Sequence, residues 1–187
     1  MSFFAAPHLS VMFDRPALAA RVAALGAEIT AHYRAAGVTA ENPLVVVGIL
    51  KGAVVFLSDL VREIDLPCQI EFMGVSSYGD ATESSGVVQL TQDLTKPVQG
   101  KHVLVVEDIV DTGLTMKYLL ENLSTRNPAS VKLASLLEKP EKNKAKIKVD
   151  FLGFSIPDQF VVGYGLDAAG LYRNLPFVGL VNTAKKT

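Results

Sequence analysis

Cysteine occurs once in the sequence, at Cys68. A single thiol excludes an internal disulfide and a zinc cage built from cysteines. Histidine is nearly as scarce: His8, His32 and His102 are scattered and lack the spacing of metal ligands. An excess of either charge is missing too. With 18 Lys and Arg against 19 Asp and Glu, the net charge is −1, which disfavours binding to nucleic acid by neutralising its phosphates. No run approaches the roughly 20 apolar residues that span a bilayer. The opening MSFFAAPHLS has neither the basic flank nor the long apolar core of a secretion signal. These absences predict a cytoplasmic protein with no membrane and no nucleic-acid partner.

What remains is the composition of a folded chain: 187 residues, 49% hydrophobic and 20% charged, enough for one domain over 1–187 with a real core. No internal repeat and no linker rich in proline or glycine divides it. Asp14 to Arg34 predicts an amphipathic helix, with Asp14 as cap, Pro16 in the first turn, and Leu18, Val22, Leu25 and Ile29 on one face. The first strand is expected at LVVVG (44–48), a short β-branched run suited to burial on both faces, and HVLVV (102–106) reads the same way. A helix carrying Ala53, Leu57, Leu60, Val61 and Ile64 follows the first run. Another, carrying Met116, Leu119, Leu120 and Leu123, follows the second. Further strands are predicted over 68–74, 87–93, 131–137, 150–156, 160–164 and 177–182. Strands alternating with helices imply an α/β fold, a mostly parallel sheet covered by helices on both faces. Lys139, Lys142, Lys144, Lys146 and Lys148 form a basic run, read for the most part as a solvated loop.

The stretch VLVVEDIVDTGLTM (103–116) is the most informative. A buried-strand run leads into Glu107 and Asp108, and Asp111 follows three places later. Carboxylates this close repel one another and are costly to desolvate. Ligands of parallel sheets gather where strands end and helices begin, and this is such a place. Gly113 lets the backbone approach a ligand closely. Successive N–H groups from Asp111 to Thr115, with the hydroxyls of Thr112 and Thr115, can cradle a phosphate at a helix N-terminus. The acids suit vicinal hydroxyls of a sugar, Mg²⁺, or a developing positive charge. A capping role accounts for one acid, Asp111, and leaves Glu107 and Asp108 over. The Asp-Thr-Gly of aspartic proteases is a rival, but that chemistry belongs to an all-β architecture and helical periodicity follows here. The combination points to a sugar phosphate.

VVEDIVDTGLT resembles the phosphoribosyl-pyrophosphate signature of type I phosphoribosyltransferases. LKG (50–52), SYGDATESSG (77–86), EKP (138–140) and IPDQFVVGYGLDAAGLYRNLP (156–176) follow the pattern of the members that act on 6-oxopurines, in order and over residues 10–182 or so. The resemblance implies a twisted, mostly parallel sheet flanked by helices, a small hood from the chain ends and a flexible lid loop. It also implies an Mg²⁺-dependent transfer of the phosphoribosyl group from phosphoribosyl pyrophosphate to N9 of a 6-oxopurine, by a homodimer or homotetramer.

Residue roles come from the same resemblance. Glu107 and Asp108 hold the ribose hydroxyls, and Asp111, Thr112, Gly113, Leu114 and Thr115 hold the 5-phosphate. Asp111 takes the proton of purine N7. Leu50, Lys51 and Gly52 form the pyrophosphate loop, whose Leu50–Lys51 peptide can be cis, and Arg173 adds a pyrophosphate contact. Ser77 and Tyr78 belong to the lid. Lys139 donates to the 6-oxo group, which disfavours adenine, while Phe160 stacks on the purine and the Val161 carbonyl accepts from its edge. Asp167 joins Glu107 and Asp108 at the metal. One departure is visible: many relatives carry an aromatic residue after Asp167, where this chain has Ala168, Ala169 and Gly170. Two rivals are a non-catalytic nucleotide-sensing regulator and a pyrimidine enzyme of the same fold. The first lacks a helix-turn-helix, and Lys139 with Phe160 counts against the second.

Overall fold

Valine-rich runs build the centre of the molecule. The computed structural model describes residues 9–77 and 88–181. The elements are β1 (Leu9–Phe13), α1 (Arg15–Ala35), β2 (Leu44–Leu50), α2 (Val54–Glu63), β3 (Cys68–Ser77), β4 (Val88–Gln92), β5 (His102–Val110), α3 (Leu114–Ser124), β6 (Ser130–Glu138), β7 (Phe151–Ser155), β8 (Val161–Val162) and β9 (Val178–Val181). Six strands form the main sheet in the order β4-β3-β2-β5-β6-β7. All neighbours in it are parallel except β4, which closes one edge antiparallel to β3.

Alternation along β2 splits the core into two layers. Leu44 and Val46 pack with Leu18, Val22, Leu25 and Ile29 of α1 and with Phe56, Leu57 and Leu60 of α2. Val45, Val47 and Ile49 pack on the other face with Met116, Leu119 and Leu123 of α3. Burial on both sides explains why β2 and β5 read as unbroken apolar runs. The predicted cap of α1 is present: the Ala17 amide donates to Asp14 Oδ1 at 2.9 Å. Arg21 then ties the helix to β7, donating from Nε to the Gly153 carbonyl at 3.0 Å and from Nη2 to the Leu152 carbonyl at 2.5 Å.

Three boundaries differ from expectation. A strand precedes α1: β1 pairs antiparallel with β9, and β9 with β8, in a separate three-stranded sheet. β1 is only partly buried along its length, so its sequence carries no buried-run signal. The stretch 160–164 contributes only the two residues of β8, because Gly163 and Gly165 have φ of 95° and 104° and turn the chain. β5 continues to Val110, four residues beyond the apolar run, and carries Glu107 and Asp108 within it. Among the described residues, no helix is long and apolar enough to cross a membrane.

Candidate active site

The carboxyl ends of β2 and β5 open on a cavity of about 280 Å³. Leu50, Gly52, Glu107, Asp108, Asp111, Thr112, Gly113, Thr115, Asp167 and Arg173 all line it, although they come from three distant parts of the chain. A larger hollow of about 710 Å³, between α1, α2 and Leu175, contains none of them. Lys51 and Leu114 are exposed and do not line the cavity.

Close approach of backbone to carboxylate defines the floor. A Cβ on Gly52 would stand 1.7 Å from Asp108 Oδ2, so only glycine lets this loop lie on the β5 acid. The Leu50–Lys51 peptide beside it is cis. Asp108 is buried, and its Oδ1 accepts from the Ile109 amide at 2.8 Å, while Glu107 Oε1 accepts from the Asp108 amide at 3.2 Å. Among the described residues neither acid has an ion-pair partner. Burial, and then the neighbouring Asp108, push the Glu107 carboxyl well above the usual carboxylate range. Two acids held this way suit a ligand rich in hydroxyls or positive charge.

Beyond β5 the chain turns through Asp111 to Gly113 and enters α3. Gly113 is the N-cap, in left-handed conformation at φ 77°, and no side chain caps the helix. Asp111 therefore does not serve as a cap. The nearest contact is a long one, Leu114 amide to Thr112 Oγ1 at 3.5 Å. The first amides of α3 are thus available to an anion, favoured by the helix dipole.

Lys139 leaves the end of β6 with its amide donating to the Val110 carbonyl at 2.9 Å. Its side chain is 6% exposed, and Nζ lies 3.3 Å from both Asp111 Oδ2 and Asp158 Oδ1. Lys142 Nζ reaches the same two acids, at 3.2 Å from Asp158 Oδ1 and 3.6 Å from Asp111 Oδ1. Asp111 Oδ1 is buried without a hydrogen-bond partner. Of the basic run, Lys144, Lys146 and Lys148 are exposed. Asn143 orders the segment by donating to Glu138 Oε1 and the Ile147 carbonyl, at 3.0 Å and 2.9 Å.

Sequence reasoning missed Asp158 and Lys142. Both lay in stretches already singled out, but only the fold brings them to one point.

Phe160 is 54% exposed, unusual for a large aromatic, and its carbonyl accepts from the Val181 amide at 3.1 Å. Val161 is buried in β8. Asp167 is held on both oxygens, by Arg173 Nη2 at 2.6 Å and the Gly170 amide at 2.7 Å. Arg173 Nη1 also donates to the Gly165 carbonyl at 2.7 Å. Ser77 ends β3, and Tyr78 with the rest of the predicted lid lies outside the described residues. Among the described residues no three His, Cys, Asp or Glu side chains cluster closely enough to cage a metal. Glu107, Asp108 and Asp167 nonetheless present hard oxygen donors to one cavity. That fits Mg²⁺, which binds through one or two carboxylates together with substrate phosphates.

Comparison with known proteins agrees with this geometry. The phosphoribosyl transferase domain model matches residues 11–169. A hypoxanthine-guanine phosphoribosyltransferase of Mycobacterium avium is 49% identical over 173 residues, covering 92% of this chain and 85% of the relative. The enzyme of that name from Bacillus subtilis is 45% identical and covers 93% of each chain. The crystal structure of a hypoxanthine phosphoribosyltransferase from Staphylococcus aureus superposes with a TM-score of 0.89 at 43% identity, covering 97% of this chain and 96% of that one. A parallel sheet with its acids on β5, an open helix N-terminus beside them and this breadth of match together make the chain a member of the phosphoribosyltransferase family.

Proposed function

We propose that this protein is a purine-salvage enzyme that transfers the 5-phosphoribosyl group from phosphoribosyl pyrophosphate to N9 of a 6-oxopurine, among hypoxanthine, guanine and xanthine. The observation that carries this reading is the pairing of Asp111, which lines the cavity, with Lys139, which does not line it but contacts Asp111. Asp111 Oδ1 makes no hydrogen bond, and Oδ2 of the same carboxylate lies 3.3 Å from a buried ammonium, an acceptor for N7–H next to a donor for a 6-oxo group. Adenine offers donors at that position and meets a donor, a mismatch that leaves buried polar groups unpaired.

The remaining residues divide the rest of the substrate. The uncapped amides of α3, with Thr112 and Thr115, take the 5-phosphate. Glu107 and Asp108 take the ribose hydroxyls and lie beside the positive charge that develops on the ring as the C1–O bond to pyrophosphate breaks. Leu50, Lys51, Gly52 and Arg173 hold the pyrophosphate, and exposed Phe160 offers a face for the purine, with the Val161 carbonyl at its edge. As the C1–N9 bond forms, the N7 proton passes to Asp111. Ser77 and Tyr78 are assigned to a lid that excludes water. Asp167, Glu107 and Asp108 would hold Mg²⁺, which would supply charge neutralisation on the departing pyrophosphate. We place the reaction in the cytoplasm, where a chain with one cysteine has no disulfide to lose, and expect a homodimer or homotetramer. A nucleotide-sensing regulator on the same fold finds no support, since the relatives are named as transferases.

The test is pyrophosphate release from phosphoribosyl pyrophosphate with Mg²⁺, with hypoxanthine, guanine, xanthine and adenine supplied separately. Turnover with the 6-oxopurines and none with adenine is expected. Absence of turnover with every base would overturn the reading.

A further inference from the structure

Four charges meet beside the purine end of the cavity. Lys139, Asp111, Lys142 and Asp158 alternate in sign around a ring, each ammonium within 3.6 Å of both carboxylates. Two members, Asp158 and Lys142, have no part in the reaction as described above. Lys139 is the buried one, and a desolvated ammonium needs close negative charge to remain an ammonium. Asp111 alone would serve in the free protein. It cannot serve throughout the reaction. Once it accepts the N7 proton it is neutral, at the moment when Lys139 must stay charged and donate to the 6-oxo group.

We infer that Asp158 and Lys142 are positioning residues: Asp158 keeps Lys139 charged and aimed while Asp111 carries the proton, and Lys142 holds Asp158 in place. This rests on the assignment of Lys139 and Asp111 made above. The geometry suits the roles. Asp158 offers one oxygen, Oδ1, to both ammoniums, at 3.3 Å and 3.2 Å, and it lies only two residues before Phe160, so its placement is fixed with that of the purine platform. The contact with Lys142 also holds the Asp158 carboxyl below its ordinary range and raises the Lys142 ammonium above its own. Loss of the pair leaves Lys139 with a single, transient partner.

The experiment is Asp158→Asn, an isosteric change, in the whole protein with Mg²⁺, with KM for hypoxanthine and for phosphoribosyl pyrophosphate determined separately. We expect kcat/KM for hypoxanthine to fall about tenfold, as about 1.4 kcal/mol of lost transition-state stabilisation gives. KM for phosphoribosyl pyrophosphate and the melting temperature should stay near wild type, and Asp158→Glu should recover part of the loss. Values within twofold of wild type for both substrates would overturn the inference. An equal loss toward both substrates with a lowered melting temperature would also overturn it, by marking a structural role. Should Asp158→Asn fail to fold, Lys142→Met is expected to show the same one-sided loss, and its absence would count against the inference in the same way. A wild type without turnover would instead overturn the reading of the site itself, and this inference with it.

Discussion

Glu107 carries a cost in the folded protein, a carboxyl buried beside Asp108. Its carboxyl titrates above the unfolded value, so between those two values the folded chain binds more protons than the unfolded one. Stability therefore falls as pH rises through that window, and the loss is complete above the folded value. Glu107→Gln is expected to flatten this dependence and to raise the melting temperature at neutral pH by about 2–4 °C, the change that about 1 kcal/mol produces in a chain of this size. The same variant should bind phosphoribosyl pyrophosphate less tightly. Thermal melts across pH, with and without that ligand, check both. Asp111→Asn changes a further acid of the same cavity. It keeps shape and removes the proposed proton acceptor, so kcat should fall by ~10²–10⁴ while KM for phosphoribosyl pyrophosphate changes far less. Near-normal turnover would rule out the general-base role.

Among the elements, α1 and α2 offer the clearest contest of magnitudes. A Cβ on Gly26 would lie 2.5 Å from the Glu63 carbonyl oxygen and 2.4 Å from Glu63 Cβ. Alanine gains about 1 kcal/mol over glycine in a helix interior, but overpacking against backbone costs about 1–3 kcal/mol. Gly26→Ala should therefore lower the denaturation midpoint, because the obstructing atoms belong to the end of α2 and cannot rotate away. The helices, β2 and β5 were legible because buried apolar runs and 3.6-residue spacing follow directly from two-sided burial. β1 and β8 were not. β1 is a half-exposed strand of five residues, and its pairing with β9 depends on a partner at the far end of the chain. The acids of β5 were legible as an anomaly, two charges continuing a buried strand, and they line one cavity with Gly52 and Thr115. Asp158 and Lys142 were not, since their meaning lies in 3.2–3.6 Å contacts across loops.

For the molecule as a whole, the six-stranded sheet and the three-stranded sheet β1-β9-β8 divide the proposed labour. Phosphate and ribose groups fall to the ends of β2 and β5, and the purine falls to Lys139 after β6 and to Phe160 and Val161 at β8. The residues after Phe160 owe their placement to β9, through the Val181 amide and the Phe160 carbonyl, and β9 in turn lies against β1. The register Leu9 to Val181 joins segments from nearly opposite ends of the sequence, a contact whose loop-closure entropy comes due late in folding. On the ribosome, the strands that carry the phosphate and ribose groups emerge well before β9. A nascent chain can therefore assemble the end of the sheet proposed for the sugar phosphate, with Lys139 beside it, while Phe160 still awaits its partner strand, so the proposed platform for the base is completed only with β9.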